Sequence, residues 1–163
     1  KQKTAYEIRP RDWSSDVCSS DLSAPQTSLD RTPLRLLRRV GLVDPTSLDD
    51  HRREGGYAAL ARAIDLGAAG TIAEVKAARL LGRGGAAFPT GTKWEAVAGR
   101  PAGPRVVVCN ADESEPGTFK DRVLMEGDPF ALVEALTIAG FAVGAERGYL
   151  YVRGEYPVAT ARL

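Results

Sequence analysis

The sequence predicts an α/β fold in which a small helical region precedes a strand–helix–strand unit. Two short apolar runs, Arg105–Cys109 and Gly148–Arg153, are typical of strands, and the first, being continuously apolar, predicts a buried parallel strand. Between them, Phe130–Val143 is apolar nearly all round with Glu134 as its only charged residue, which predicts a core helix. Asp128 precedes that helix as its predicted cap, and Pro129 suits the first helical position. Strand, helix and strand joined by short loops indicate a βαβ unit.

Several shorter helices are predicted ahead of the first strand. Ser47 precedes a leucine and two acidic residues, which favours an N-cap at that position. The segment Tyr57–Leu66 places its apolar residues on one helical face. A further helix is predicted over Thr71–Leu81, where Thr71 and Glu74 have the spacing of a capping box. Another helix is expected to begin near Glu95–Ala98.

Composition restricts the class of protein. The 163 residues carry 22 Lys and Arg against 21 Asp and Glu, a net charge of +1, and 44% are hydrophobic, which is typical of one soluble globular domain. No apolar run approaches the ~20 residues of a membrane span. The balanced charge argues against nucleic acid as a partner. Two cysteines cannot form a disulfide framework or a structural zinc site.

The N-terminal segment has no pattern of a folded element. Residues 11–22 contain two near-repeats of Ser-Ser-Asp and resemble the in-frame translation of a DNA sequencing-library adapter. The apolar core and basic start of a signal peptide are missing. We therefore expect residues 1–22 to be non-native, residues 23–70 to be a polar lead-in and helical region, and residues 71–163 to be the N-terminal part of a larger domain.

A glycine-rich segment precedes the predicted helix near Glu95. Four glycines fall within Gly82–Gly91, and such a loop running into a helix exposes backbone N–H groups to a phosphate or a flat ring. Arg83 and Lys93 would add a forked and a point positive charge. The spacing matches neither the dinucleotide-binding glycine fingerprint nor the P-loop, so the residues alone leave a plain structural loop as an alternative.

A second polar segment follows the first strand. Asn110–Gly117 contains Asp112, Glu113 and Glu115 at the carboxyl end of a strand, where open α/β sheets bind ligands. Asparagine and carboxylate groups suit the ring edges and hydroxyls of a nucleotide or flavin. Three neighbouring like charges predict a compensating ligand or a cationic partner such as Lys93.

Other polar residues have a structural interpretation. We expect His51 on the surface of a helix and Cys109 as a small apolar filler at the end of its strand. Lys120–Arg122 and Asp128 are expected to form a surface cluster of salt bridges. The basic amphipathic segment Leu34–Val40 is either a partner surface or, as we expect, a solvated helix face.

Four motifs in order carry a resemblance to a known family. They are Gly82–Trp94, Cys109–Arg122, Glu126–Pro129 and Tyr149–Tyr156. Together they resemble the flavoprotein (51 kDa-type) subunit of respiratory complex I and its relatives, the NAD-linked diaphorase subunits of formate dehydrogenases and hydrogenases. The resemblance covers about residues 36–163, and Val43–Leu60 is more similar to the soluble diaphorase branch.

The resemblance implies a Rossmann-like domain that binds FMN and NAD(H). In that family, hydride passes from NADH to the flavin and single electrons pass on to a 4Fe–4S cluster, whose cysteine motif is expected beyond Leu163. The implied partners are NADH, a thioredoxin-like 2Fe–2S subunit and an iron–sulfur subunit, without nucleic acid or membrane insertion. The implied location is the cytoplasm, peripheral to the inner membrane in a complex. The motifs leave open complex I, formate dehydrogenase or hydrogenase as the parent complex, and NADH or NADPH as the nucleotide.

The resemblance also implies which residues form the site. FMN contacts carry over onto Gly82, Arg83, Gly84, Gly85, Lys93, Asn110, Asp112, Glu113, Ser114, Gly154 and Glu155. NADH contacts carry over onto Phe88, Glu115 and Tyr151. No side chain is expected to be catalytic or to bind a metal, because the flavin carries the chemistry. Two residues depart from the family: Ala87 stands where a glycine is usual, and Ala96 replaces a frequent aromatic.

Besides an NADH dehydrogenase flavoprotein subunit, two other interpretations of the chain remain open from the sequence. The chain could be a phosphate- or nucleotide-binding module without redox chemistry, which would bind nucleotide without yellow colour. It could also be a fragment that is inactive by itself, for which exposed apolar surface and no ligand binding are expected. We expect the parent protein to fit the first description and the isolated chain to be inactive.

Overall fold

The structure of the chain is a computed structural model that describes residues 35–83, 85–101 and 103–163. The segment interpreted as a translated adapter, and the polar lead-in up to residue 34, lie outside the described residues, as does Gly84. Residues 35–163 form one compact unit.

The described residues confirm an α/β fold built on a parallel strand pair. In chain order the elements are α1 (Leu48–Arg53), α2 (Ala58–Ala77), α3 (Thr90–Ala98), β1 (Val106–Ala111), α4 (Lys120–Gly127), α5 (Pro129–Val143), β2 (Arg147–Val152) and α6 (Pro157–Arg162). The strands pair in parallel from Val106 opposite Arg147 to Ala111 opposite Val152. α4 and α5 lie between the strands in sequence, and α5 packs on both, so the predicted βαβ unit is confirmed. α4 and α6 were not predicted.

One face of the sheet is covered and the other is open. A Cβ at Gly140 would lie 3.5 Å from Val107 Cγ1, and one at Gly148 would lie 3.4 Å from Leu136 Cδ2, so both glycines allow α5 to approach the strands closely. The opposite face exposes apolar and aromatic side chains, namely Val106, Val108, Tyr149 and Tyr151. The prediction of a buried β1 is therefore wrong for one face, because alternate residues of a strand point to opposite sides.

The principal core lies at the carboxyl ends of the strands. It contains Ala111 of β1, Met125 of α4, Tyr156 at the start of α6 and Ala159 within α6. Cys109, Leu132, Val152 and Leu163 pack against this cluster. The interpretation of Cys109 as an apolar filler is thus confirmed, and the core fixes the strand ends where the candidate site begins.

The predicted helix starts are confirmed at Ser47 and at Asp128-Pro129. They are wrong at Thr71 and near Glu95, since α3 already begins at Thr90. Ser47 Oγ accepts a hydrogen bond from the Asp50 N–H at 3.2 Å and caps α1. Thr71 lies inside α2 rather than at its start. α2 bends instead at Gly67, which has a φ of 72°, and the Thr71 hydroxyl donates to the carbonyls of Ala63 and Gly67. The bend frees backbone carbonyls, and the hydroxyl supplies a donor for them.

A buried polar cluster joins the first helices to α5. We call Arg39, His51, Asp128 and Glu134 the buried cluster. The Arg39 Nε donates to Asp128 Oδ2 at 2.8 Å. His51, at 0% exposure, places Nδ1 3.2 Å from Asp128 Oδ1 and Nε2 3.8 Å from Glu134 Oε2. The interpretations of His51 and Asp128 as surface residues are wrong, and the solvated face predicted for residues 34–40 fails at Arg39, because all three side chains are buried in this cluster.

Glu134 also supplies the cap that α2 lacks. Tyr57, at the N-cap position, has a left-handed φ of 63° and offers no side-chain hydrogen bond to the helix. The Glu134 carboxylate accepts from the backbone N–H groups of Tyr57 and Leu60, each at 3.0 Å. A carboxylate at a helix start is stabilised by the free N–H groups and the helix dipole. The only charged residue of α5 therefore joins the two helices.

Gly56 tests the packing of the buried cluster. A Cβ at this position would overlap the imidazole ring of His51 and lie 2.6 Å from the His51 carbonyl oxygen. We expect Gly56→Ala to lower the free energy of unfolding by about 1–3 kcal/mol, the range for overpacked sites. Urea denaturation measures this change. Gly103→Ala is the control, since a Cβ there meets nothing within 4 Å, and equal losses in both variants would contradict the packing argument.

Candidate functional site

The candidate site starts where the two strands end. Asn110 of β1 and Tyr151 of β2 are direct register partners, and both are exposed on the open face of the sheet. The Asn110 side-chain oxygen accepts from the Asp112 N–H at 3.1 Å, and Ser114 Oγ donates to Asp112 Oδ2 at 2.7 Å. These bonds shape residues 110–115, which we call the β1 tip. These hydrogen bonds connect Asn110, Asp112 and Ser114, three of the residues predicted to contact the flavin.

Glu113 is the buried member of the β1 tip. Its side chain lies at the start of α4, where Oε1 accepts from the Asp121 N–H at 3.0 Å and Oε2 from the Arg122 N–H at 3.2 Å. The Lys120 ammonium lies 3.8 Å from Oε1. Repulsion among the three carboxylates is thus relieved by a helix start and by Lys120 rather than by Lys93. Asp112 and Glu115 remain exposed.

Arg153 connects the β1 tip to the loop after β2. Its Nη1 donates to the Glu113 carbonyl oxygen at 2.6 Å, and its Nε lies 3.1 Å from Glu155 Oε2. We call Arg153–Glu155 the β2 tip. Residues from both tips were predicted to contact the flavin, and this guanidinium brings them together. The sequence places Arg153 within a motif but gives it no role, since nothing local shows that its partner lies forty residues earlier.

Tyr156 contacts the same junction through both its hydroxyl and its ring. Its hydroxyl donates to Glu113 Oε2 at 3.3 Å, and its ring lies under the guanidinium groups of Arg122 and Arg153, at 5.4 and 5.9 Å from the ring centroid. Burial raises the pKa of the Tyr156 phenol, and the charge and hydrogen bond of Glu113 raise it further. Burial likewise raises the pKa of the Cys109 thiol, which favours an uncharged, unreactive thiol.

The glycine-rich segment forms a loop that is closed at its base. Leu81 and Pro89 form an isolated antiparallel bridge, and the Gly82 N–H donates to the Phe88 carbonyl at 2.8 Å. Phe88 is 50% exposed at the end of the loop, and Lys93 is exposed in the first turn of α3. Arg83 and Gly85 are also exposed. The described part of the loop thus presents a cation and an aromatic ring to solvent.

A tight helix crossing positions this loop. Gly91, in the first turn of α3, is buried, and a Cβ there would overlap the Lys76 side chain and lie 2.8 Å from its backbone nitrogen. Glycine therefore lets α3 start directly against the end of α2. Lys76 Nζ contacts both carboxylate oxygens of Glu95 at 2.9 Å on the outer side of the crossing.

Ala87 adopts a backbone conformation that favours glycine. Its φ is +46°, in the left-handed region where a Cβ is strained. The alanine that is predicted to stand in place of a glycine therefore carries a steric cost within the loop. Ala96, the second departure, is exposed on α3.

The structure thus divides the predicted site residues into two groups. The first group is the two tips with the adjoining strand residue Tyr151, namely Asn110, Asp112, Glu113, Ser114, Glu115, Tyr151, Gly154 and Glu155. The second group is the glycine loop with the start of α3, namely Gly82, Arg83, Gly85, Phe88 and Lys93. Apart from the buried Glu113 and half-buried Gly82, all are exposed, and no hydrogen bond joins the two groups among the described residues. In that same part of the chain, no three His, Cys, Asp or Glu side chains cluster for a metal ion, and no helix is long and apolar enough to cross a membrane.

A βαβ unit with polar groups at the carboxyl ends of its strands is typical of α/β domains, which bind ligands at that edge of the sheet. Comparison with known proteins specifies the class further. Residues 75–163, more than half of the chain, match the family described as the Nuo51 FMN-binding domain of the complex I 51 kDa protein. The chain belongs to this family, which confirms the resemblance found in the sequence.

Curated relatives and a solved structure agree with this assignment. The chain is 46% identical over 133 residues to a subunit of the NADH-quinone oxidoreductase of Aquifex aeolicus, covering 82% of this chain and 31% of the relative. It is 46% identical over 138 residues to the HndC subunit of the NADP-reducing hydrogenase of Solidesulfovibrio fructosivorans, covering 84% and 28%. A crystal structure of an air-oxidized NAD⁺-reducing NiFe hydrogenase is similar with a TM-score of 0.56 and 44% identity, covering 59% of this chain and 17% of that one. The chain therefore spans less than a third of these relatives.

The backbone strain at Ala87 predicts that a glycine at this position raises the free energy of unfolding. We expect Ala87→Gly to raise the free energy of unfolding by up to about 1 kcal/mol, because relief of the left-handed strain exceeds the added chain entropy. Ala86→Gly is the matched control, since its φ is not positive, and it should lower stability by about 0.5–1 kcal/mol. Urea denaturation of both variants decides the matter. A loss of stability in Ala87→Gly as large as in the control would contradict the assigned conformation.

The raised pKa of Tyr156 predicts how stability depends on alkaline pH. Above the ordinary tyrosine pKa of about 10, the unfolded chain releases this proton while the folded chain retains it, so stability falls as pH rises. We expect Tyr156→Phe to reduce that fall, with Tyr149→Phe as a control on an exposed tyrosine. Urea denaturation from neutral pH to about one unit above pH 10 measures the slopes. Equal slopes in wild type and Tyr156→Phe would rule out the buried phenol as its source.

Proposed function

We propose that this chain forms part of the FMN- and NADH-binding site of an NADH-oxidising flavoprotein subunit. The observation that carries the proposal is the side-by-side placement of Asn110 and Tyr151 at the exposed ends of two parallel strands. Family membership and the names of the relatives support it. A phosphate or sugar site alone would not need an open aromatic face next to amide and carboxylate groups.

The residues present fit an FMN molecule. The exposed glycine loop and the exposed Lys93 ammonium suit a phosphate, which favours backbone N–H groups and a nearby cation. Asn110 offers an amide, and Asp112 and Ser114 offer a carboxylate and a hydroxyl, to the polar edge of a ring or a ribityl chain. A bound FMN would supply the hydride-accepting chemistry, while these residues would hold it and set its orientation.

Three exposed residues are proposed to contact NADH. Phe88 is available for stacking on adenine at the edge of the loop, and Tyr151 presents a flat ring on the open face. Glu115 offers an exposed carboxylate to the nicotinamide end. Because a relative is a subunit of an NADP-reducing hydrogenase, both NADH and NADPH belong in any binding experiment.

The parent protein is proposed to act within a larger complex. The relatives include subunits of a quinone oxidoreductase and of hydrogenases, so we propose onward single-electron transfer to iron–sulfur clusters held outside this chain. The proposed partners are an iron–sulfur subunit and a thioredoxin-like 2Fe–2S subunit. A cytoplasmic, peripheral location follows from the same proposal.

One observation favours the alternative of a chain that is inactive by itself. The open face exposes Val106, Val108, Tyr149 and Tyr151, at 50–63% exposure, which is a contiguous apolar surface. A chain in this state could fold and still bind flavin weakly. The experiment therefore measures folding and binding separately.

An FMN titration tests the proposed function. FMN is added to the 163-residue chain, its fluorescence is recorded, and circular dichroism reports folding in parallel. We expect saturable quenching in wild type and at least about tenfold weaker binding in Lys93→Met, the loss that follows from removing one charged hydrogen bond. Lys76→Met is the control, because Met keeps the stem that packs on Gly91 and the Lys76–Glu95 pair is exposed.

Each outcome has a distinct meaning. Quenching that is weakened only in Lys93→Met supports flavin binding at the loop. A folded chain that binds NADH but not FMN favours a nucleotide module without redox chemistry. A folded chain that binds neither favours the inactive fragment, and equal weakening in both lysine variants would reject Lys93 as the phosphate ligand.

A further inference from the structure

We propose that Arg153 is a positioning residue that holds the β1 and β2 tips in fixed relation, so that both present their cofactor contacts together. This inference rests on the proposed function, since it assigns Arg153 a role toward the same site. The Arg153 side chain is 23% exposed and contacts protein groups of both tips.

The first support is the geometry of one guanidinium with two partners. Nη1 donates to the Glu113 carbonyl at 2.6 Å, and Nε lies 3.1 Å from the Glu155 carboxylate. A planar guanidinium can direct two N–H groups at once, whereas an ammonium is a single point charge on a flexible stem. The position therefore requires arginine and not positive charge alone.

The second support is the fixed platform beneath Arg153. The Tyr156 ring lies close to the guanidinium groups of both Arg153 and Arg122, and Tyr156 is 5% exposed within the principal core. A cation over an aromatic face is attracted by the ring. Because Tyr156 packs in the cluster with Met125 and Ala159, the platform moves only if the core moves.

The third support is that Arg153 completes the anchoring of Glu113. The carboxylate of Glu113 is held by the α4 N–H groups and by the Tyr156 hydroxyl, but its backbone carbonyl is held by Arg153. Asp112 and Ser114 flank this residue and are exposed. Fixing both ends of Glu113 fixes the direction in which its two neighbours point.

Amide hydrogen exchange and FMN affinity together test the proposal. Wild type is compared with Arg153→Lys, which keeps the charge without the fork, and with Arg153→Met, which keeps neither. Arg147→Lys, at the exposed start of β2, is the matched control. We expect faster exchange at residues 112–115 and 154–155 in both Arg153 variants, with α5 unchanged, and at least about tenfold weaker FMN binding.

The exchange measurement decides the inference even when flavin does not bind. Unchanged exchange at the tips in Arg153→Met would overturn it, and so would full recovery of wild-type exchange and affinity in Arg153→Lys. Faster exchange confined to the tips with unchanged FMN affinity would show a junction that does not serve the cofactor, and would also overturn it. Tip-specific exchange in a chain whose wild type binds no FMN would support the junction and reject the proposed function for this chain.

Discussion

The carboxylate of Glu113 at the start of α4 is the interaction on which the candidate site depends. It receives two backbone N–H groups from α4 and the hydroxyl of Tyr156, so one buried charge orders the β1 tip, a helix and the principal core together. A buried carboxylate without such donors would be costly, so these three hydrogen bonds stabilise the arrangement. Arg153 then transmits this order to the β2 tip through the Glu113 carbonyl.

The same type of interaction, a carboxylate that accepts hydrogen bonds from a helix N-terminus, joins the helical region to the βαβ unit. Glu134 of α5 accepts from the first N–H groups of α2, just as Glu113 accepts from those of α4. His51 and Arg39 bring further polar groups to the carboxylates of Glu134 and Asp128. Glu134 lies in a segment whose sequence predicts an apolar core helix, and Glu113 lies in a segment whose sequence predicts an acidic loop. Neither pattern indicates a carboxylate that caps another helix. The N-termini of α2 and α4 are thus satisfied by carboxylates from outside each helix instead of by the side chains of their own N-cap residues.

Sequence patterns predicted the elements where the signal is local. The apolar runs indicated both strands, the nearly uncharged segment after Pro129 indicated α5, and Ser47 is a true N-cap. The pattern failed at Thr71, because a capping-box spacing also occurs inside a helix, and α2 bends at Gly67 instead. It failed at His51 and Asp128, since polar identity favours the surface unless a distant partner is known.

The sequence by itself determined the family and the βαβ order, because motifs and periodicity are properties of neighbouring residues. Its assignment of residues to cofactor contacts stays a prediction. Only the tertiary structure decided which face of the sheet is open, that Glu113 is buried while Asp112 and Glu115 are exposed, and that Arg153 joins the two tips. These outcomes depend on contacts between residues far apart in the sequence, such as Glu113 and Arg153, which are 40 positions apart. Burial and hydrogen bonding at such separations are set by packing, which no local pattern encodes.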